Sequence, residues 1–135
     1  EERVLIASRV IGNRGKVEVG RAPDLPQVEG QVDHVLMLDM LHYVSDKDVQ
    51  IVFQRIFDKL SVDGTLVVRA TVPSDKPNPW KRRIEEIRLR MTGLSGRFRT
   101  EAEIASYMQQ ARFTVKIFAS GTEGIEEKWF LGKKF

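Results

Sequence analysis

Apolar residues are densest in residues 32–43, where a run at 35–38 and the pair Met40 and Leu41 are interrupted by one carboxylate, Asp39. A helical pattern opens directly afterwards at Ser45. A near-continuous apolar run that leads into a helix is typical of a strand buried on both faces of a parallel sheet. Ligands of such sheets bind just past the carboxyl ends of the strands. We therefore expect any chemistry of this chain at residues 39–43.

The rest of the chain alternates helical and extended patterns. The predicted helices are 3–11, 45–60, 80–91 and 100–110, and the predicted strands are 16–20, 33–38, 65–70, 114–119 and 128–132. A strand is the alternative for residues 3–11, because their β-branched content also fits one. Ser45 and Thr100 stand at helix starts, each with an acidic residue three positions later, as in a capping box. Strands separated by helices predict an α/β fold with a mostly parallel sheet, helices on both faces and a closing antiparallel hairpin.

Composition predicts one domain over residues 1–135. Hydrophobic residues make up 41% and charged residues 30%, as in globular proteins outside the membrane. The chain has no cysteine, which excludes thiol nucleophiles and thiolate metal sites and fits the cytoplasm, where we expect it. We expect no metal site. A net charge of +3 is too small to indicate nucleic acid as a partner.

Several stretches together resemble the class I S-adenosylmethionine-dependent methyltransferases. Residues 17–26 (VEVGRAPDLP) resemble that family's third strand and acidic loop, and 32–43 its fourth strand with the "LHH/LHY" element. Residues 56–70 (IFDKLSVDGTLVVRA) resemble its "L-x-P-G-G" turn and fifth strand, and 100–113 the helix that enters its sixth strand. The resemblance covers nearly the whole chain. It implies S-adenosylmethionine as the cofactor of a full-length parent and a small molecule as its substrate.

Two parts of the family pattern are absent. The chain lacks the glycine-rich turn and the acidic residue that holds the ribose, and the Gly12 to Gly15 stretch follows a predicted helix rather than a strand. Arg112 replaces the glycine of the family's "GF" pair, a helix-end position that favours left-handed backbone. We therefore expect a truncated domain, its carboxyl-terminal half to two-thirds, which is inactive alone.

The missing strands would leave a sheet edge open. In the family the first strand lies beside the fourth, and the third strand pairs only with the second. We therefore expect residues 16–20 to pair at a non-standard place, or the open edge of 33–38 to form a homodimer.

The resemblance also implies roles for cofactor-binding residues. Asp24 would accept a hydrogen bond from the adenine amine, with Leu25 beside it; alternatively Asp24 only forms a turn between two prolines. Asp39, Met40 and Leu41 would line the methionine part of the pocket. A carboxylate in an apolar run must be paired or solvated, and an open cleft would solvate Asp39.

The same resemblance places substrate residues beyond that strand. His42 and Tyr43 would face the substrate, and His42 is a weak candidate for a general base, with packing and helix capping as the alternative. Arg69 would bind a substrate carboxylate or phosphate, or instead pair with a neighbouring aspartate. Trp80 stands at the entrance of a substrate lid expected at residues 72–99.

Residues 81–99 give this lid its chemical character. Seven cations stand there against two anions: Lys81, Arg82, Arg83, Arg88, Arg90, Arg97 and Arg99. With interleaved apolar residues, this pattern indicates an acidic or lipid-like substrate or contact with a membrane surface. A solvated charged face is the alternative.

Two functions fit these observations. The first is the cofactor- and substrate-binding part of a small-molecule methyltransferase. The second is a non-catalytic, methyltransferase-like interaction or dimerisation module of a larger protein. A flavodoxin-like or receiver-like domain is a weaker third option, because the acidic strand end that a receiver needs near its amino terminus is absent.

Overall fold

The computed structural model of the chain describes residues 2–72, 97–119 and 127–135. The helices are α1 (Glu2–Ile11), α2 (Asp46–Lys59) and α3 (Glu101–Gln110), and the strands are β1 (Val32–Leu38), β2 (Leu60–Thr71), β3 (Thr114–Ala119) and β4 (Glu127–Lys133). Short 3-10 turns lie at Gly12–Arg14 and Leu41–Tyr43. The predicted helix 80–91, Trp80 and most of the expected lid lie outside the described residues.

The four strands form one sheet in the order β1-β2-β4-β3. β1 and β2 are parallel, and β4 is antiparallel to both of its neighbours. β3 therefore runs in the same direction as β1 and β2, although it pairs only with β4. The predicted α/β class, with a closing antiparallel hairpin, is confirmed.

Side-chain caps fix the starts of α2 and α3. The Ser45 hydroxyl accepts a hydrogen bond from the Asp48 amide at 3.2 Å. Thr100 and Glu103 form a complete capping box, in which each side chain accepts from the other residue's main-chain N–H. These two helix starts were predictable because the capping signal is local in sequence.

One hydrophobic core joins α2 and α3 to one face of the sheet. Alternate residues of the strands point into it: Met37, Leu66, Val68 and Phe130. The helices contribute the other main side chains: Val49, Val52, Phe53, Ile56, Ile104 and Met108. α1 contributes no buried residue.

The other face of the sheet is partly open to solvent, so the prediction that β1 is buried on both faces is wrong. Leu36 is 67% exposed and Leu38 44% exposed, whereas Met37 between them is buried. Side chains alternate between the two faces of a strand, and α2 and α3 cover only the face that carries Met37. The apolar run correctly predicted a strand, but it did not predict how much of the strand is exposed.

The prediction of a strand at residues 16–20 is also wrong. No helix or strand occurs between the 3-10 turn at Gly12–Arg14 and β1 at Val32–Leu38, and Val19 is 75% exposed. An extended segment becomes a strand only when a neighbour completes its ladder of hydrogen bonds. No described strand lies beside these residues, so the expected non-standard pairing does not occur.

β2 begins earlier than predicted. The turn expected at Asp63 and Gly64 lies inside the strand as an irregularity, with Asp63 at a φ of +62°. The pairing register between β1 and β2 shifts at the same place. Gly64 is required there, because a Cβ would lie 2.8 Å from the Ser61 carbonyl oxygen.

Candidate functional site

The candidate site is the turn that follows β1. Asp39 ends the strand at a φ of +53°, in the left-handed region that non-glycine residues rarely adopt. Its N–H donates to the Arg69 carbonyl of β2 at 3.0 Å, which continues the β1–β2 pairing by one residue. Backbone held in this region costs energy and is concentrated at ligand sites.

Asp39 and Arg69 form an ion pair beside the strand ends. The Arg69 Nε donates to Asp39 Oδ1 at 3.1 Å, and Nη2 donates to Oδ2, so the contact is bidentate. Hydrogen bonding to Asp39 and attraction from Asp39 and Glu127 raise the pKa of Arg69 above its ordinary value, so this guanidinium stays charged. Of the alternatives left open by the sequence for Arg69, the structure shows the pair with a neighbouring aspartate.

Arg69 has further neighbours on β4. Glu127 Oε2 lies 3.9 Å from its Nε, and its guanidinium lies 5.5 Å from the centre of the Trp129 ring. Trp129 in turn donates from Nε1 to Glu127 at 3.1 Å. Arg69 of β2 therefore binds the Asp39 carboxylate, and Glu127 and Trp129 of β4 contact Arg69 in turn.

The residues after Asp39 point into different surroundings. Leu41 is 3% exposed and belongs to the core, and Met40 packs against that core. His42 stacks on Phe98, with ring centres 5.2 Å apart, and lies 3.9 Å from the ring of Tyr43. Tyr43 is exposed. The turn thus presents a carboxylate and aromatic side chains, and Leu41 anchors it.

Arg99 also fixes this turn, a role that the sequence did not reveal. Its guanidinium is buried and donates to the Leu41 carbonyl at 2.5 Å, the Val44 carbonyl at 2.6 Å and Asp46 Oδ1 at 2.8 Å. These partners precede Arg99 by 53 to 58 residues, so no local signal could have identified them. The assignment of Arg99 to an outward basic surface is wrong.

Arg97 approaches the same turn from the outside. Its N–H donates to the His42 carbonyl at 3.0 Å, and its side chain pairs with Asp46 and Glu103. Its charge is therefore matched by carboxylates, like that of Arg99, and both contribute less to a basic surface than the sequence indicated.

Asp24, the predicted adenine contact, lies in the loop before β1 and is paired with α2. Its Oδ1 accepts from Arg55 Nη1 at 2.9 Å, and the same nitrogen donates to the Pro23 carbonyl at 2.8 Å. Leu25 packs against the core. This pairing attaches the loop to α2 and leaves the Asp24 side chain 84% exposed.

Two general features of the described ranges bear on possible ligands. They contain no group of three or more His, Cys, Asp or Glu side chains placed to hold a metal ion. Within the same ranges, no helix combines the length and apolar content needed to cross a bilayer.

Comparison with solved structures shows the fold, which is that of the S-adenosylmethionine-dependent methyltransferases. No family model and no curated protein matches the sequence. Among solved structures, the mitomycin 7-O-methyltransferase MmcR superposes with a TM-score of 0.76 at 20% identity, over 98% of this chain and 38% of that one.

Two other solved structures give the same result. The pyocyanin biosynthetic protein PhzM gives a TM-score of 0.69 at 19% identity, over 98% of this chain and 39% of its own. Human N-acetylserotonin methyltransferase, solved in complex with S-adenosylmethionine, gives a TM-score of 0.68 at 16% identity. The match covers 88% of this chain and 33% of that one. The chain thus spans less than two-fifths of each of the three proteins, and identities this low define the fold alone.

Proposed function

We propose that this chain is part of an S-adenosylmethionine-dependent methyltransferase that acts on a small molecule. The observation that carries the proposal is Asp39, which stands at a φ of +53° at the carboxyl end of β1 on a methyltransferase fold. Strained backbone is concentrated at ligand sites, and ligands of parallel sheets bind beyond the carboxyl ends of the strands, so both features support a site at Asp39.

The proposed roles follow the positions of the side chains. The Asp39 carboxylate would attract the ammonium group of the cofactor's methionine part, and Arg69 would hold that carboxylate rather than bind substrate. Met40 and Leu41 would contribute main-chain and apolar contacts on the same side. Asp24, which is exposed, would meet the adenine amine, with Leu25 beside it.

The substrate would lie beyond the turn. When bound, the cofactor supplies a methyl group on a sulfonium, which is electrophilic enough that positioning of the acceptor can suffice. Tyr43 and His42 would orient the acceptor, together with Trp80 of the proposed lid at residues 72–99. His42 stays a weak candidate for proton removal, because its ring is stacked on Phe98.

We expect the isolated chain to bind the cofactor weakly and to be inactive. The sequence lacks the glycine-rich turn and the ribose-binding acid of the family, so the contacts that these would supply are missing. Partial sites retain only a fraction of the binding free energy.

The test is a titration with S-adenosylmethionine at millimolar concentration, followed by amide chemical shifts. We expect shifts at residues 24–25 and 39–43 in the wild type and in Asp63→Asn, but not in Asp39→Asn. Asp63 is a matched control, since it also has positive φ, and asparagine tolerates that conformation. An absence of shifts at residues 39–43 would contradict the cofactor site, and tight stoichiometric binding would contradict the weak affinity.

A second candidate function, a dimerisation module, is favoured by the edge of the sheet. Among the described strands β1 has a neighbour on one side only. Between Asp33 and Asp39 it has no proline and no Lys, Arg, Asp or Glu, the residues that usually protect an edge. β3, at the opposite edge, carries Lys116 near its middle. Two copies could therefore pair antiparallel along β1 into one eight-stranded sheet.

This second candidate is tested by sedimentation over a range of concentrations. We expect dimers for the wild type and for Val62→Lys, and a monomer for Leu36→Lys. Val62 is a matched control because it is as exposed as Leu36, at 72% against 67%, but does not lie on β1. A wild type that stays monomeric at high micromolar concentration would exclude the pairing.

A further inference from the structure

The buried guanidinium of Arg99 is the least expected feature of the described residues. It is 2% exposed, and among the described residues it is the one charged residue that is buried. A charge is tolerated in the interior only when partners satisfy it. Each of its three nitrogens has an acceptor, and one of these acceptors, Asp46, carries the opposite charge.

The acceptors of Arg99 are arranged around one turn. The carbonyls of Leu41 and Val44 lie on either side of His42 and Tyr43, so the guanidinium spans the 3-10 turn that follows Asp39. The planar fork of a guanidinium fixes the directions of its hydrogen bonds to the two carbonyls and the carboxylate. A lysine ammonium would keep the charge but would lose this geometry.

A second link joins the same two segments. The Arg97 N–H donates to the His42 carbonyl at 3.0 Å, between the two carbonyls that Arg99 engages. The main-chain acceptors of three residues in the turn are therefore bonded to residues 97–99. The turn's own amides bond within it, Tyr43 to the Met40 carbonyl at 3.0 Å and Val44 to the Leu41 carbonyl at 3.2 Å.

We propose that Arg99 is a positioning residue: through the Leu41 and Val44 carbonyls it sets the conformation of the turn that presents Asp39, His42 and Tyr43. This inference rests on the proposed function for its consequence in ligand binding. The control of the turn conformation by Arg99 is inferred from the observed contacts and does not depend on that function. The last residues of the proposed lid would thereby also shape the cofactor side of the site.

The test compares Arg99→Lys with Arg97→Lys by amide hydrogen exchange. Arg97 is a matched control, because its side chain also binds Asp46, while its link to the turn is a main-chain N–H that lysine retains. We expect Arg99→Lys to accelerate exchange at Tyr43 and Val44 by about tenfold or more, as loss of charge-assisted hydrogen bonds predicts. The amides of Val52 and Phe53 in α2 should change much less.

Asp46→Asn provides a milder variant should Arg99→Lys fail to fold. It weakens the ion pair with Arg99 but leaves the two hydrogen bonds to carbonyls. Exchange at Tyr43 and Val44 should therefore accelerate less than in Arg99→Lys, but still more than exchange of the amides in α2. Uniform acceleration across the chain in either variant would overturn the proposal and leave Arg99 a general stabilising residue.

The cofactor titration separates this inference from the proposed function. We expect the shifts that S-adenosylmethionine induces at residues 39–43 to be lost in Arg99→Lys and kept in Arg97→Lys. Unchanged shifts in Arg99→Lys would overturn the positioning role. An absence of shifts in the wild type would instead overturn the cofactor site, and the exchange comparison would still decide the role of Arg99.

Discussion

At the scale of single residues, Arg112 shows how a side chain can partly offset a backbone cost. It follows α3 at a φ of +73°, as expected for a position that normally takes glycine. Its guanidinium bonds Asp58 Oδ1 at 3.1 Å and lies 4.4 Å from the centre of the Phe57 ring. Left-handed backbone costs a non-glycine residue about 1–2 kcal/mol, and exposed contacts of these kinds return a similar amount.

Two substitutions at position 112 separate these effects. Both Arg112→Gly and Arg112→Ala remove the contacts with Asp58 and Phe57, but only glycine removes the backbone cost. We expect Arg112→Gly to exceed Arg112→Ala by about 1 kcal/mol in free energy of unfolding. Urea denaturation measures the difference, and equal stabilities would show that the left-handed conformation costs nothing there.

The site illustrates which residues a sequence can reveal. Asp39 was identifiable because it interrupts an apolar run, and Arg112 because it replaces a glycine. The partners of Arg99 were not identifiable, nor was it identifiable which aspartate pairs with Arg69, because each contact joins residues at least 30 positions apart. Only the folded chain brings those groups together.

At the scale of elements, α2, α3 and the β3–β4 hairpin followed from local signals of capping and periodicity. The error at residues 16–20 has the opposite origin, since alternation of polar and apolar residues predicts a strand only where a neighbour exists. The pattern was present and the partner was not. β1 was located correctly, but its burial depended on helices that cover one face.

The capping box of α3 predicts a dependence of stability on pH. The Thr100 N–H and hydroxyl, together with Arg97, hold the pKa of Glu103 below its ordinary value of 4.5. A lowered pKa stabilises the fold above the unfolded-state pKa, and this contribution disappears as the pH falls through the lower folded-state pKa.

Unfolding by urea at pH 6 and at pH 3 tests this expectation against Glu103→Gln. The wild type should be more stable than the variant at pH 6, and the difference should shrink at pH 3. Glu29, an exposed residue before β1, offers a matched control in Glu29→Gln, where we expect no such change. A difference between wild type and Glu103→Gln that is independent of pH would contradict the assignment.

At the scale of the whole molecule, the helix layer packs closely on the sheet at Gly132. A Cβ there would lie 2.7 Å from Met108 Cε and 3.0 Å from Phe113 Cδ1. Core overpacking of this kind costs about 1–3 kcal/mol, so Gly132→Ala should lower the free energy of unfolding by that amount.

Gly20→Ala is the control for this substitution. A Cβ at Gly20 meets nothing within 4 Å, and the residue does not need positive φ. Thermal and urea unfolding should leave Gly20→Ala close to the wild type. If Gly132→Ala has the same free energy of unfolding as Gly20→Ala, the packing of β4 against α3 and Phe113 has room for the added methyl group and the prediction is wrong.

The strand order also determines when the sheet can form during synthesis. β4 lies between β2 and β3 but follows both in the chain. Until β4 has been made, β3 has no partner among the described strands, and β2 is paired with β1 alone. A nascent chain of this topology therefore exposes an unfinished sheet to chaperones until residues 127–133 emerge.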